Sequence, residues 1–597
     1  MEHRVSRRNL IAGAGALSGA SLLGAACTTD GGWRRAGSAA SGASTPADWP
    51  SDDAWHALNE RVGGRLIRPV SPVAPCVSEP GSEACAAALR SLQNPFVHED
   101  HAGATQSTGW LDAWQSAVSP YAVAAESAED IAAAVDFARE HDVRLVVKGA
   151  GHDYLGRNNA PDSLLVWTHH MRNINVHDDF VPEGAPSGTE GVTALTVGAG
   201  TRWLEAYGAA TEAGLYVQGG GCTSVGASGG FIQGSGFGSY SKAFGTGAGG
   251  VLEFRVVTAD GRVRTVNRHQ EPDLFWALRG GGGATFGIVA STTLLAHPIP
   301  SLTGTVSGTI TAADDEAYTE LVRRYVGFYP AALNNPSWGE QVSFHPDRSV
   351  ELALTWLDLT EAQARATWAP LLDALRSDPD RFTVDVSFVE IPFDQVWDLM
   401  WWQENQPAAV TVDPRANQPD NQYWWSGNQG EVSAFWAAYE SRWLPLSMYT
   451  ERAEDLTRMI VDSSRIRHFT IQSNKGLSGA APEALERDRE TALHPSAFDA
   501  AALVIMASAQ QYAYPGVPGH EPDLVAAERE RRNVAEAFAV IRDALPGQGA
   551  YANEASYFTE DWQQEFWGEN YPRLLAIKRE VDPENLFRVH HGVGSER

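Results

Sequence analysis

Apolar and polar positions follow two different periods along this chain. Ser127, with Asp130 three places on, precedes Ile131, Val135 and Ala138 on one face, which predicts a capped amphipathic helix over residues 127–140. The apolar run at 144–148 then reads as a buried strand that stops at Gly149-Ala150-Gly151. Further strands are predicted at 163–168, 194–197, 251–258, 263–266 and 287–295, with a helix over 203–213 and a hairpin turn at 259–262. From about residue 301 glycine thins, and alternation mixed with helical periods predicts a second domain of antiparallel strands flanked by helices. The expected plan is a leader over 1–46, a glycine-rich domain over 47–300, the second domain over 301–545, and a last segment over 546–597 with a helix at 571–580.

Length and charge narrow the function. A chain of 597 residues exceeds one hydrophobic core, so at least two domains are required. With 45 Lys and Arg against 74 Asp and Glu, the net charge of −29 repels phosphate backbones and anionic lipid, so nucleic acid is not an expected partner. Beyond the N-terminus no apolar stretch reaches the roughly 18 residues of a membrane span. Of the 57 glycines, ten fall between Gly226 and Gly250, at an entropic cost that stability alone does not explain. Close approach of the main chain to a flat or phosphorylated ligand does.

The N-terminus reads as an address. Arg4, Arg7 and Arg8 precede a mild apolar run over 10–26, the order of a secretory signal. Ser6-Arg7-Arg8-Asn9-Leu10-Ile11 resembles the twin-arginine export motif, which carries proteins already folded around a cofactor to the periplasm or beyond. Leu23-Gly24-Ala25-Ala26-Cys27 resembles a lipobox with its Leu one place early, which makes Cys27 a candidate lipid anchor. Cys76 and Cys85 flank a short Pro/Gly/Ser loop that an oxidising compartment favours closing as a disulfide. Cys222 is then left over, inside a glycine run.

Common glycine motifs fail here. Gly149-Ala150-Gly151 and Gly234-Ser235-Gly236-Phe237-Gly238 lack the nicotinamide-dinucleotide spacing. No phosphate loop or H-E-x-x-H helix occurs, no G-x-S-x-G has a convincing strand before it, and the 17 histidines show no metal-ligand spacing. However, Val146-Val147-Lys148-Gly149-Ala150-Gly151-His152-Asp153-Tyr154-Leu155-Gly156 resembles the first flavin-binding motif of the vanillyl-alcohol-oxidase (PCMH-type) FAD fold. Gly220-Gly221-Cys222-Thr223-Ser224-Val225-Gly226, followed by Gly229-Gly230 and Gly234, is similar to the second motif of its berberine-bridge-enzyme-like branch. Tyr551-Ala552-Asn553-Glu554 and Asp582-Pro583-Glu584-Asn585-Leu586-Phe587 look like that branch's C-terminal segment, and His590-His591-Gly592 is closest to its isoamyl alcohol oxidase-like subgroup.

The resemblance implies an α+β, two-domain PCMH-type fold, with an antiparallel-sheet substrate domain and a C-terminal segment returning to the FAD domain. It implies FAD bonded through His152 to the flavin 8α-methyl carbon and through Cys222 to ring carbon 6. Gly149, Gly151, Asp153, Tyr154, Gly156, Gly221, Val225, Gly226, Gly229, Gly230, Gly234 and Val256 would cradle it. Where relatives carry a second Tyr in their Tyr-x-Asn-Tyr motif, this chain has Glu554, a candidate base whose carboxyl an apolar cavity would raise. Tyr551 and Asn553 would orient substrate or flavin, and Trp401, Trp402 and Trp424 are candidate substrate walls. Val225 matches the place where oxidases of the branch keep a small residue, so oxygen is the expected acceptor and hydrogen peroxide the product. The expected activity is oxidation of an alcohol or sugar hydroxyl by an exported monomer. The alternatives are an oxidative ring-forming enzyme of secondary metabolism, or a flavin-holding surface protein without turnover.

Overall fold

A computed structural model describes residues 49–596, so the leader and Cys27 lie outside the described residues. The capping box is present: Ser127 accepts from the Asp130 N–H while the Asp130 carboxylate accepts from the Ser127 N–H. This starts the helix Ala128–His141, which Asp142 closes in a left-handed conformation. The strand Arg144–Lys148 follows and pairs in parallel with Ser163–Trp167, which pairs in turn with Tyr121–Ala124. All five residues of Ser163–Trp167 are buried, as the continuous apolar run of a strand covered on both faces requires. Leu66–Ile67 completes this four-stranded sheet.

The second sheet is antiparallel, in the order Val263–Asn267, Val251–Val257, Ile288–Pro298, Val192–Gly198, Ile174–Phe180. Leu215–Val217 pairs with the far end of Ile288–Pro298. Ile174–Phe180 escapes sequence reading because it is an edge strand with no buried residue, so its pairing comes from its neighbour rather than its own pattern.

The third sheet has nine strands, running from Phe382–Pro392 at one edge through Leu302–Ala312, Ser349–Leu357, Trp338–Phe344, Phe469–Gln472, Ala500–Gln511 and Ala434–Pro445 to Ser107–Trp110 and Trp114–Gln115. Its ladders are antiparallel except where Ser107–Trp110 runs parallel to Ala434–Pro445. Residues 107–115 of the glycine-rich half therefore extend the sheet of the second half. Helices Asp315–Ala332, Glu361–Arg376, Ala453–Ile466 and Leu524–Ala544 cover one face, burying Tyr318, Trp368, Ile460 and Phe538 against Val306, Leu352 and Val504. Strand alternation sends Thr305 and Ser307 to the opposite face, which is left to line a cavity.

The chain's end packs back on the glycine-rich half. In the helix Tyr571–Val581, buried Lys578 donates to the Thr285 and Phe587 carbonyls and pairs with Asp582. Trp567 Nε1 donates to the Gly280 carbonyl at 2.9 Å. Cys76 and Cys85 form a disulfide, and Cys222 is the free cysteine of the described residues. No described helix is long and apolar enough to cross a membrane.

Candidate functional site

A cavity of about 1000 Å³ lies between the two glycine blocks and the uncovered face of the nine-stranded sheet. It is at the upper end of ordinary ligand sites, roughly 300–1,000 Å³. Gly149, Gly151, His152, Asp153 and Tyr154 line it from the first block, and Gly221, Cys222, Val225, Gly226, Gly229 and Gly230 from the second. Tyr551, Asn553 and Glu554 reach it from the last segment.

The first block is anchored from beneath. Lys148, at the end of its strand, donates to the carbonyls of His98, His101 and Ala104 at 2.7, 2.8 and 2.6 Å, and burial lowers its ammonium to about 7. Gly151 adopts φ 87°, and a Cβ there would stand 2.8 Å from Lys148 Cε. In the second block the glycines divide. A Cβ on Gly219 would strike the Trp203 ring at 2.2 Å, so that glycine serves packing, whereas a Cβ on Gly229 or Gly230 would meet nothing within 4 Å. The latter two form an open cradle.

His152 Nε2 lies 3.0 Å from Ser224 Oγ, and burial, with His98 and Lys148 nearby, lowers its imidazole to about 3. Cys222 Sγ accepts from Asn428 Nδ2 at 3.1 Å, and burial pushes its thiol up. Trp425 Nε1 donates to the Gly221 carbonyl at 2.8 Å, so residues 425–428 lie across the second block. Tyr154 donates to Glu431 at 2.9 Å and stacks on Tyr439 with centroids 5.2 Å apart. Burial raises the carboxyls of Glu431 and Glu340, the latter accepting from Ser239 Oγ. Tyr551 Oη accepts from the Gly236 N–H and from Asn553 Nδ2, both at 3.2 Å, and burial pushes its phenol up.

Glu554 sits differently from the apolar setting expected of it: its carboxylate meets the Lys475 ammonium, a partner the sequence does not announce. Asp153 lines the cavity but pairs with Arg157, whose Nε stands 2.7 Å away. Trp402 lines the cavity together with Trp397 and Trp425. Trp401 instead packs edge-on against Trp402, and Trp424 donates to Gln429 from the core. Gly156 makes room for the Trp114 ring and Gly234 for Asn553, while Val256 is buried in its strand; these three stand off the cavity. Glu340, Glu431, Asn428, Tyr439 and Lys475 were invisible to sequence reading, because single polar residues on strands and loops carry no spacing signal.

Several features suit a flat cofactor with a polar tail. The cradle is open, and Gln233 Oε1 and Asn158 Oδ1, on cavity-lining residues, have no hydrogen-bond partner among the described residues. An imidazole and a thiol enter the same space.

Comparison with known proteins agrees. The family model for an FAD binding domain matches residues 119–267, and that for berberine and berberine-like proteins matches residues 550–594. An FAD-linked oxidoreductase, ZEB1, of Gibberella zeae is 30% identical over 567 residues, covering 92% of this chain and 91% of its own. The crystal structure of the VAO-type flavoprotein MtVAO615 from Myceliophthora thermophila superposes with a TM-score of 0.75 at 27% identity, covering 92% of this chain and 96% of that one. A glucooligosaccharide oxidase from Acremonium strictum, described with a 6-S-cysteinyl, 8α-N1-histidyl FAD, shares the fold at 20% identity and a TM-score of 0.62, covering 88% and 99%. Family models in the expected order, a relative matched over nearly its whole length and a cavity built from both glycine blocks lead to one assignment: this chain belongs to the berberine-bridge-like branch of the vanillyl-alcohol-oxidase-type, FAD-dependent oxidoreductases.

Proposed function

We propose that this protein is an exported oxidase that removes hydride from the CH–OH group of an alcohol or sugar, holding FAD covalently at His152 and Cys222 and using oxygen as acceptor. The observation that carries the reading is the meeting of His152, Cys222 and Glu554 in one cavity. The doubly attached FAD described for the Acremonium oxidase supports the linkage. The disulfide and the arginine pair at the N-terminus support export.

FAD, when bound, supplies a ring system that accepts hydride from carbon. The protein's own groups do the rest. The Glu554 carboxylate takes the hydroxyl proton, and the Lys475 ammonium fixes its direction. Tyr551, kept protonated by burial and held through its oxygen by Gly236 and Asn553, orients the ligand. Trp397 and Trp402 give the substrate side an apolar wall.

Intact mass after denaturation tests the attachment. Wild type, His152→Ala and Cys222→Ala should each carry the mass of FAD, and the double variant should release it. Colourless acid-precipitated wild-type protein would overturn the linkage. An alcohol and sugar panel under anaerobic conditions tests the chemistry: the yellow colour should bleach with a substrate and return in air with peroxide. No bleaching across the panel rejects the oxidase reading.

A further inference from the structure

Cys222 is a poor nucleophile by its surroundings alone. A thiol attacks only as its thiolate, and burial pushes this one up, with the Glu431, Glu340 and Glu554 carboxylates adding to the effect and the Lys475 ammonium opposing it. That ammonium is already paired with Glu554. The sulfur nevertheless has a donor: Asn428 Nδ2 stands 3.1 Å from Sγ, and among the described residues no other group donates to it.

Asn428 is held in place from both sides. It sits in the turn Ser426–Glu431 and lines the cavity, and just ahead of that turn the Trp425 indole donates at 2.8 Å to the carbonyl of Gly221, the residue before Cys222. On its other side Gln429 accepts from Trp424 Nε1 at 2.8 Å and donates to the Gln93 carbonyl and to Tyr512 Oη at 2.6 and 2.8 Å, while Glu431 accepts from Tyr154 at 2.9 Å. The turn is thus tied to both glycine blocks and to residues 93 and 512. The amide at its centre is spent on one sulfur.

We infer that Asn428 is the positioning residue for the cofactor bond at Cys222: its amide N–H fixes the direction of the sulfur and takes up the negative charge that develops there as the bond forms. This rests on the proposed attachment of FAD at Cys222 and names the group that makes it proceed. In the net step the Cys222 S–H bond and the C–H bond at ring carbon 6 break and a carbon–sulfur bond forms. The two protons and two electrons released pass to oxygen, the acceptor of the proposed oxidase, giving hydrogen peroxide. The two attachments are therefore separable. Burial keeps the His152 imidazole neutral, with a ring lone pair to offer, whereas burial holds Cys222 in its unreactive form.

The test reads attachment rather than turnover. Wild type, Asn428→Leu and Asn428→Asp are purified in air with their flavin, unfolded, treated with iodoacetamide, digested and weighed, so that an open Cys222 gains the alkyl group and a bonded one does not. Losing one donor to a developing charge costs about 10²–10³-fold in rate at comparable sites, so Cys222 should be open in under about a tenth of wild-type chains and at least about fivefold more often in either variant. Asp matches Asn in shape but sets an anion beside the sulfur, so it should do worse than Leu; a role in packing alone gives the reverse order. His152 should carry flavin in all three chains, which shows that each has folded around the ring. A rise of less than about fivefold in both variants, or the reverse order between them, overturns the inference and leaves the attachment standing. A wild-type Cys222 that is fully alkylated overturns the attachment itself, and the inference with it.

Discussion

Both oxygens of the Glu554 carboxylate face the Lys475 ammonium, one of them at 2.5 Å, inside the cavity that the two glycine blocks enclose. Lys475 ends the short turn Ser473–Lys475 that follows the strand Phe469–Gln472, while Glu554 comes from the last segment. The pair therefore joins the nine-stranded sheet to the chain's end inside the cavity.

Replacing Glu554, the proposed base, should separate chemistry from binding. Glu554→Gln keeps the volume and loses the proton acceptor, so flavin reduction should slow about 10²–10⁴-fold with little change in substrate affinity. Lys475→Met should cost less, about tenfold, by leaving the carboxylate free to turn, and Lys475→Arg should restore part of it. Anaerobic stopped-flow reduction measures all three; a Glu554→Gln rate close to wild type would move the proton to another group.

Val225 lines the cavity three residues after Cys222 and is only partly buried. Val225→Leu adds a methylene to this wall and should slow reoxidation of the reduced flavin by air about tenfold or more while reduction by substrate is unchanged. Oxygen-mixing kinetics after anaerobic reduction decide the matter, and an unaltered reoxidation rate would remove Val225 from control of oxygen.

Two glycines of one block should respond in opposite ways. A side chain at Gly230 projects into open cavity, so Gly230→Val should fold with a near-normal melting temperature yet retain little flavin. Gly219→Ala forces a methyl into the Trp203 ring and should cost about 1–3 kcal/mol of stability. Thermal melts alongside flavin-to-protein absorbance ratios distinguish the two; an unstable Gly230→Val would show that the cradle is packing after all.

Acid should weaken the fold through its buried histidines. Burial lowers His98, His297 and His494 to about 4, against about 6.5 in an unfolded chain. Below pH 6.5 the unfolded state therefore binds more protons, so these residues support the fold above that pH, and their contribution falls as pH drops towards 4. The loss is on the order of 1–3 kcal/mol per imidazole. Melting temperature against pH should fall across this window, and His98→Gln should make it shallower by about one proton; an identical slope in that variant would count against His98.

Local order is legible in the sequence. Ser127 and Asp130 cap their helix because the capping pattern acts within three residues, and 144–148 and 163–168 are strands because apolar runs of that length need burial on both faces. The glycine blocks, with His152 and Cys222 inside them, could be read because those motifs are written in contiguous residues. The disulfide followed from two cysteines nine places apart. Reading Glu554 in isolation, however, suggested an apolar setting, because its cation lies 79 residues away in sequence.

What the sequence determined by itself is therefore what short range decides: which segments are helix or strand, where the backbone must lie bare, and which family's motifs are present. The tertiary structure alone decided which carboxylate has a cation and that Ser107–Trp110 extends the distant sheet. Charges and hydrogen bonds act over a few ångströms of space, and residues far apart along the chain come within that range only when the sheets close around the cavity.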